Sequence, residues 1–392
     1  MLDKDRDIFK LMKKNIKKFK HFYKEKKNID VNSIKKIEDI PFIGRDDFSD
    51  IINYINLDDA FFTIMTSGSR SEKFFIFRSK RSYQAHLARQ IKIYRKVGFN
   101  SKDRFLNLLS YSISGAARII DRAIESLGVS FVPVGSITGK KSLCFAVEAI
   151  QQLKPTVIEG YVNEIYDIFS ILGRDHSVKK CIVTGEFLSS HFKDKLEKKS
   201  GAKVYNNYGS MEFSGIAISE SPDDKYMRIY EEDIYTEIIK NNGDINNTGE
   251  GQLVITDLLN CAMPFIRYKV GDRVKIIKNK GKKYIKVLGR EQESILIDGE
   301  PFNKRILVEK IREVLDSPNF FILINKNKDN YQDQLVVNIP ENKKNNYKII
   351  KNFFANELDL LHISKINFYK REIPKTSTGK YRHIVDLRKN DR

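Results

Sequence analysis

Cysteine is scarce. The 392-residue chain has three, Cys144, Cys181 and Cys261, far apart and with no Cys-x-x-Cys pair. This argues against a disulfide framework or a zinc site and points to a reducing, cytoplasmic compartment. Long apolar runs are missing too. No stretch approaches the roughly 18–20 residues that a membrane span needs. The N-terminus, Met1-Leu2-Asp3-Lys4-Asp5-Arg6-Asp7, is acidic where a secretory leader would be apolar. There is no internal repeat, no low-complexity tract, and no helix-turn-helix, zinc-finger or RNP-like pattern. Acidic residues are in deficit, 51 against 70 Lys and Arg, for a net charge of +19. Such an excess can serve nucleic acid or an anionic membrane surface. Without a supporting motif it reads as the bias of a Lys-, Asn- and Ile-rich chain, and no specific nucleic-acid partner is expected.

What is present describes a globular protein. Hydrophobic content is 41%, with 18 Tyr and 25 Phe. The length suffices for a large core and two domains. Residues 1–30 read as one amphipathic helix, with Ile8, Leu11, Met12, Ile16, Phe19 and Tyr23 on one face and lysines on the other. From residue 79 to about 205, apolar strand-like runs alternate with helical patterns. Strands fall at Phe105–Ser110, Ser130–Val134, 156–158, 181–184 and 202–205. Helices fall at Ser79–Val97, Ala116–Leu127, Ser142–Leu153, Asn163–Leu172 and 189–199. This alternation predicts an α/β fold with a largely parallel sheet, whose ligands sit beyond the carboxyl ends of strands. Residues 225–290 change to antiparallel character, read as strands at Tyr226–Ile239, Gly251–Thr256, Asp272–Lys278 and Lys283–Leu288. After Gly289-Arg290 the pattern becomes a small α+β unit with a helix at Phe302–Leu315. The expected organisation is a large α/β domain, 1–290, with a small antiparallel β subdomain, followed by a small mobile α+β domain, 291–392.

The stretch Thr66–Lys73, Thr-Ser-Gly-Ser-Arg-Ser-Glu-Lys, lies between two apolar runs. It reads as a hydroxyl-rich hairpin loop whose backbone N–H groups could cradle phosphate, with Gly68 allowing close approach and Lys73 adding charge.

Four further stretches follow in order. They are Thr184-Gly185-Glu186; Tyr208-Gly209-Ser210-Met211-Glu212; Met263-Pro264-Phe265-Ile266-Arg267-Tyr268-Lys269-Val270-Gly271-Asp272; and Pro374-Lys375-Thr376-Ser377-Thr378-Gly379-Lys380. With Gly289-Arg290 between the last two, the set resembles the acyl-adenylate-forming superfamily. The Met-Pro-x-Ile-Arg-Tyr-x-x-Gly-Asp form resembles its phenylacetate–CoA ligase branch, as do Ile37–Phe48 and residues 154–161.

The resemblance implies a two-step reaction. A carboxylic acid attacks the α-phosphate of ATP, and a thiol of CoA or of a carrier-protein phosphopantetheine then displaces AMP. Thr66, Ser67, Gly68 and Ser69, with Lys73, would take the β- and γ-phosphates. Here the sequence departs from the family: Arg70-Ser71-Glu72 replaces the usual glycine- and proline-containing continuation. Glu212 would hold Mg²⁺, a hard cation that prefers oxygen. Asn206, Asn207, Tyr208 and Gly209 would contact adenine, with Gly185 and Glu186 near the adenosine. Asp272 would accept the ribose hydroxyls, and Arg290 would contact ribose or phosphate. Lys380 would be the adenylation catalyst, entering only when the small domain closes on a hinge near Gln292. Tyr111, Ser114, Gly135 and Phe187 are pocket candidates by topology. The basic surface would help to attract a nucleotide or an acidic carrier protein. Dimers occur in the branch, so a homodimer is possible.

Two other readings stay open. One is an acyl-protein synthetase passing the acyl group to a protein cysteine; the three cysteines lie in or beside apolar stretches, as inert buried thiols do. The other is a non-catalytic basic nucleic-acid or membrane binder on a ligase scaffold. Intact Asp272, Glu212 and Lys380 weigh against it, and the altered 70–73 loop keeps it alive.

Overall fold

A computed structural model describes residues 4–66, 74–112, 115–221, 225–291, 294–297, 300–326, 332–340, 347–356, 364–369, 373–376 and 380–388. Its largest feature is a sheet of twelve strands that contains both the parallel and the antiparallel halves of the sequence. The parallel half runs Ser130–Pro133, Arg104–Asn107, Val157–Gly160, Lys180–Thr184, Lys203–Ser210. Ser214–Ile218 then turns back antiparallel on Lys203–Ser210. Met227–Ile229, Lys282–Arg290, Tyr268–Asn279, Gly249–Asp257, Ile234–Ile239 and Ile245–Asn246 continue outward. The expected antiparallel subdomain is thus hydrogen bonded onto the parallel strands rather than standing apart.

The parallel strands bury both faces, so they carry continuous apolar runs. Helices Lys140–Leu153, Val162–Leu172 and Ser190–Ser200 pack on one face and Lys80–Lys96 and Ala116–Ser126 on the other. Local chemistry sets their ends. Ser79 and Ser189 accept the N–H of Ser82 and Phe192 as helix caps, and Gly201 closes its helix at φ +74°. A third core joins the N-terminal helices, the hairpin Phe62–Met65/Phe75–Arg78 and the antiparallel strands. A fourth belongs to the C-terminal segment, where helices Lys304–Leu315 and Tyr347–Asn356 cover a four-stranded sheet. No helix among the described residues is long and apolar enough to cross a membrane.

Several elements differ from the sequence reading. The N-terminal helix is interrupted: Lys4–Ile16 and Lys20–Lys27 are α-helical, and Lys17–Phe19 is a 3₁₀ turn. Its apolar spacing continues through the break, so periodicity alone does not reveal it. The strand expected at Tyr226–Ile239 is two strands, because residues 230–233 leave the ladder. Phe302 lies in a hairpin, Ser294–Ile297 with Glu300–Asn303, and the helix begins only at Lys304, capped by Asn303. The expected hinge residue, Gln292, lies outside the described residues.

Candidate active site

The carboxyl ends of the parallel strands meet the C-terminal segment. Gly185 directly follows strand Lys180–Thr184 and takes φ +77°, a conformation that favours glycine. Its carbonyl accepts a hydrogen bond from Lys380 Nζ at 2.6 Å. The same ammonium lies 5.2 Å from the Tyr161 ring centroid. A Cβ on Gly185 would stand 3.1 Å from that ring and 3.3 Å from Lys380 Nζ. Burial pushes the Lys380 ammonium below its ordinary pKa; Glu186 pulls it back up, and Arg290 pushes it down. Glu186 accepts from the Val162 N–H at the start of a helix, and burial raises its carboxyl.

Asp272 stands on the antiparallel side. It is 5% exposed, accepts from the Tyr208 hydroxyl at 2.6 Å and pairs with Arg290 Nε at 3.1 Å. Burial raises its carboxyl and Arg290 opposes this. Tyr208 and Gly209 lie just beyond the last parallel pair, Thr184–Asn207, where Lys203–Ser210 turns into its antiparallel hairpin. At Gly209 a Cβ would meet the Ser214 carbonyl oxygen at 2.5 Å, so the close approach of the two backbones demands glycine. Glu212 sits in that turn, and its Oε1 accepts from the Tyr268 hydroxyl at 3.1 Å. The buried Arg78 guanidinium donates to the Met211 carbonyl and steadies the same turn. Among the described residues no group of three or more His, Cys, Asp or Glu is placed to hold a metal ion.

The structure therefore brings Lys380, Gly185, Glu186, Asp272, Arg290, Tyr208 and Glu212 to one region. Three other expected residues have different surroundings. Thr66 is buried, and its hydroxyl accepts from the Phe74 N–H and from Arg45 Nη2, which closes the hairpin base. Asn207 turns its amide into the core toward Glu159 and Thr184. Asn206 contributes its backbone N–H to Ser219 Oγ. Ser67, Gly68, Ser69, Lys73 and Ser114 lie outside the described residues.

Of the pocket candidates, Tyr111 is 45% exposed and donates to Asp121 at 2.6 Å. A Cβ on Gly135 would lie 3.5 Å from its ring. Phe187 lies under the Arg305 guanidinium, 3.1 Å from the ring centroid. Sequence reasoning gave no role to Tyr161, which underlies Lys380, or to Glu159, whose partners are remote in the chain. Nor did it see the polar contacts that seat the C-terminal segment. Tyr381 donates to Asp167 at 2.5 Å, and His383 contacts both Asn163 and Arg312 at 3.1 and 2.9 Å. One expectation about thiols is corrected. Cys181 is buried and Cys261 partly so, but Cys144 is exposed, because it falls on the solvent side of its helix.

No family model matches the chain. A phenylacetate–coenzyme A ligase of Aromatoleum evansii is 26% identical over 292 residues, covering 67% of this chain and 64% of that protein. The matched region thus spans a little under two thirds of that relative. An indoleacetate–lysine synthetase of Pseudomonas savastanoi is 24% identical, covering 65% of this chain and 62% of its own length. Among solved structures, 2-hydroxyisobutyryl-CoA ligase in the postadenylation state with 2-HIB-AMP superposes with a TM-score of 0.79 at 18% identity, covering 98% of this chain and 90% of that one. The same ligase in its thioesterification state, with CoA, scores 0.67. In its ordered motifs, its distant relatives and its fold, the chain is similar to the acyl-adenylate-forming enzymes and, among them, to the phenylacetate–CoA ligases.

Proposed function

We propose that this protein activates a carboxylic acid with Mg·ATP and transfers the acyl group to a thiol of CoA or of carrier-protein phosphopantetheine. In the first step a carboxylate oxygen bonds to the α-phosphorus and the bond to pyrophosphate breaks. In the second, a thiolate attacks the acyl carbon, AMP leaves, and the thiol proton goes to solvent. The observation that carries this reading is the seating of Lys380. Its ammonium, delivered by the C-terminal segment, is held at the Gly185 carbonyl with Glu186, Asp272 and Arg290 close enough to shift its charge. Both reacting partners are anions, and a fixed cation stabilises the charge that develops between them.

Asp272 and Tyr208 would hold the ribose and adenine, with Arg290 beside them. Glu212 offers one carboxylate to Mg²⁺, in keeping with an ion that arrives on the nucleotide and neutralises its phosphates. The 1–290 and 291–392 division would let the second unit rotate for thiol transfer. The higher score against the postadenylation state, 0.79 against 0.67, supports reading the described arrangement as the adenylating one. Tyr111, Gly135 and Phe187 remain the candidates for the acid.

The exposure of Cys144 favours one alternative, transfer to a protein cysteine. A carrier protein is supported by likeness to McyG A-PCP with phenylalanyl-adenylate, at a TM-score of 0.58 and 15% identity.

The test is pyrophosphate release from Mg·ATP across aryl, short-chain, long-chain and amino acids, with and without CoA. Acid-dependent release that disappears in Lys380→Ala is expected. Silence across the panel from a protein that binds ATP would overturn the reading. Acyl transfer that persists without CoA and vanishes in Cys144→Ser would establish the protein-cysteine alternative.

A further inference from the structure

We propose that Glu159 is a positioning residue of this site, fixing Thr184 and Asn207 from inside the sheet and, through them, the Gly185 carbonyl that seats Lys380 and the Tyr208 hydroxyl that seats Asp272. The inference rests on the adenylating reading above.

Glu159 is 0% exposed on the central strand Val157–Gly160. Its Oε2 accepts from the Tyr94 hydroxyl at 2.5 Å. Its Oε1 accepts from the Thr184 hydroxyl at 2.5 Å and the Asn207 amide at 3.3 Å. The Asn207 amide also donates to Thr184 Oγ1 at 3.1 Å. Thr184 and Asn207 are cross-strand partners, and the residues that follow them are Gly185 and Tyr208. One carboxylate therefore ties a helix and the ends of two parallel strands to a third strand, directly behind both halves of the candidate site. A buried carboxylate without a cationic partner is costly, and an apolar residue would pack a sheet at less cost. What Glu159 adds is direction: three donors converge on two oxygens, which holds the strand ends in register.

The charge state matters to that geometry. Burial pushes the Glu159 carboxyl up to about 7, and Asp121 pushes the same way, while the bonds from Thr184, Tyr94 and Asn207 pull it down. The ionised group accepts from all three donors. The protonated group must turn one oxygen into a donor facing groups that already donate.

The experiment uses the full chain as wild type, Glu159→Gln and Tyr94→Phe. KM for Mg·ATP in pyrophosphate release and Mg·ATP affinity by calorimetry are measured from pH 6 to 8.5. Taking the ratio of variant to wild type cancels the titration of ATP itself. For Glu159→Gln the KM ratio is expected to rise from near one at pH 6 to about tenfold at pH 8, since a charged hydrogen-bond network is lost only where the wild type is ionised. For Tyr94→Phe, which removes one donor, the wild-type inflection moves to higher pH. A Glu159→Gln ratio that is unity throughout, or raised equally at every pH as a general packing defect would give, overturns the proposal. A wild type that binds Mg·ATP but releases no pyrophosphate overturns the adenylating reading alone, and the affinity ratio still decides the role of Glu159. A wild type that binds no ATP overturns both.

Discussion

At Asp272 two influences oppose one another: burial raises the carboxyl, and the Arg290 guanidinium at 3.1 Å lowers it. An amide of the same shape keeps the packing and loses the charge. Asp272→Asn is therefore expected to raise KM for ATP ten- to a hundredfold, the worth of one or two charge-assisted hydrogen bonds, about 1.5–3 kcal/mol. Steady-state kinetics in ATP, with melting temperature as the control for folding, checks it. Glu159 gives a stability prediction of opposite sense to its kinetic one. Its folded pKa, about 7, lies above the ordinary 4.5. Its favourable contribution is thus complete below about 4.5 and lost as pH rises through about 7, on the order of 3 kcal/mol in all. Glu159→Gln should gain stability relative to wild type between pH 5 and pH 8 in urea unfolding; a gap that stays constant over that interval would refute the titration. Asp272, Glu212 and Lys380 are legible in the sequence because each sits in a short contiguous motif. Glu159 is not, since its partners lie 65, 25 and 48 residues away.

Helix Val162–Leu172 faces the C-terminal segment with polar groups. Its Asp167 accepts from Tyr381 and Asn319, and its Asn163 contacts His383. Such an interface can open without exposing a large apolar face. Asp167→Ala is expected to slow pyrophosphate release about tenfold, since it leaves a partly buried hydroxyl and amide without their acceptor. Thiol transfer from a synthetic acyl-adenylate should remain near wild type. Equal losses in both half-reactions would contradict this. The α/β alternation was readable from residue 79 to 205 because apolar runs of strand length are punctuated by Gly128, Pro155 and Gly201. Strand Ile384–Asp386 was not, because its three residues gain strand character only by pairing with Phe321–Lys326 far upstream. The Asn303 cap and the preceding hairpin were hidden for a related reason: Phe302 continues the apolar spacing of the helix after it.

Over the whole molecule the charge of +19 attracts an anionic substrate at distances set by the Debye length, about 8 Å at physiological salt. KM for ATP should therefore rise several-fold between 50 and 300 mM salt while kcat holds, as measured by initial rates at fixed free Mg²⁺. A KM insensitive to salt would confine the attraction to the short-range contacts of the site. The twelve-stranded sheet has a further consequence at its two margins. One ends in Ile245–Asn246, only two residues long, and the other in Ser130–Pro133, whose last residue has no N–H to offer. An incoming extended segment would meet a strand of two residues on one side and, on the other, one of four that ends in proline. A sheet this wide, which could otherwise recruit neighbouring molecules strand by strand into aggregates, meets them with a two-residue strand at one margin and a proline-ended strand at the other.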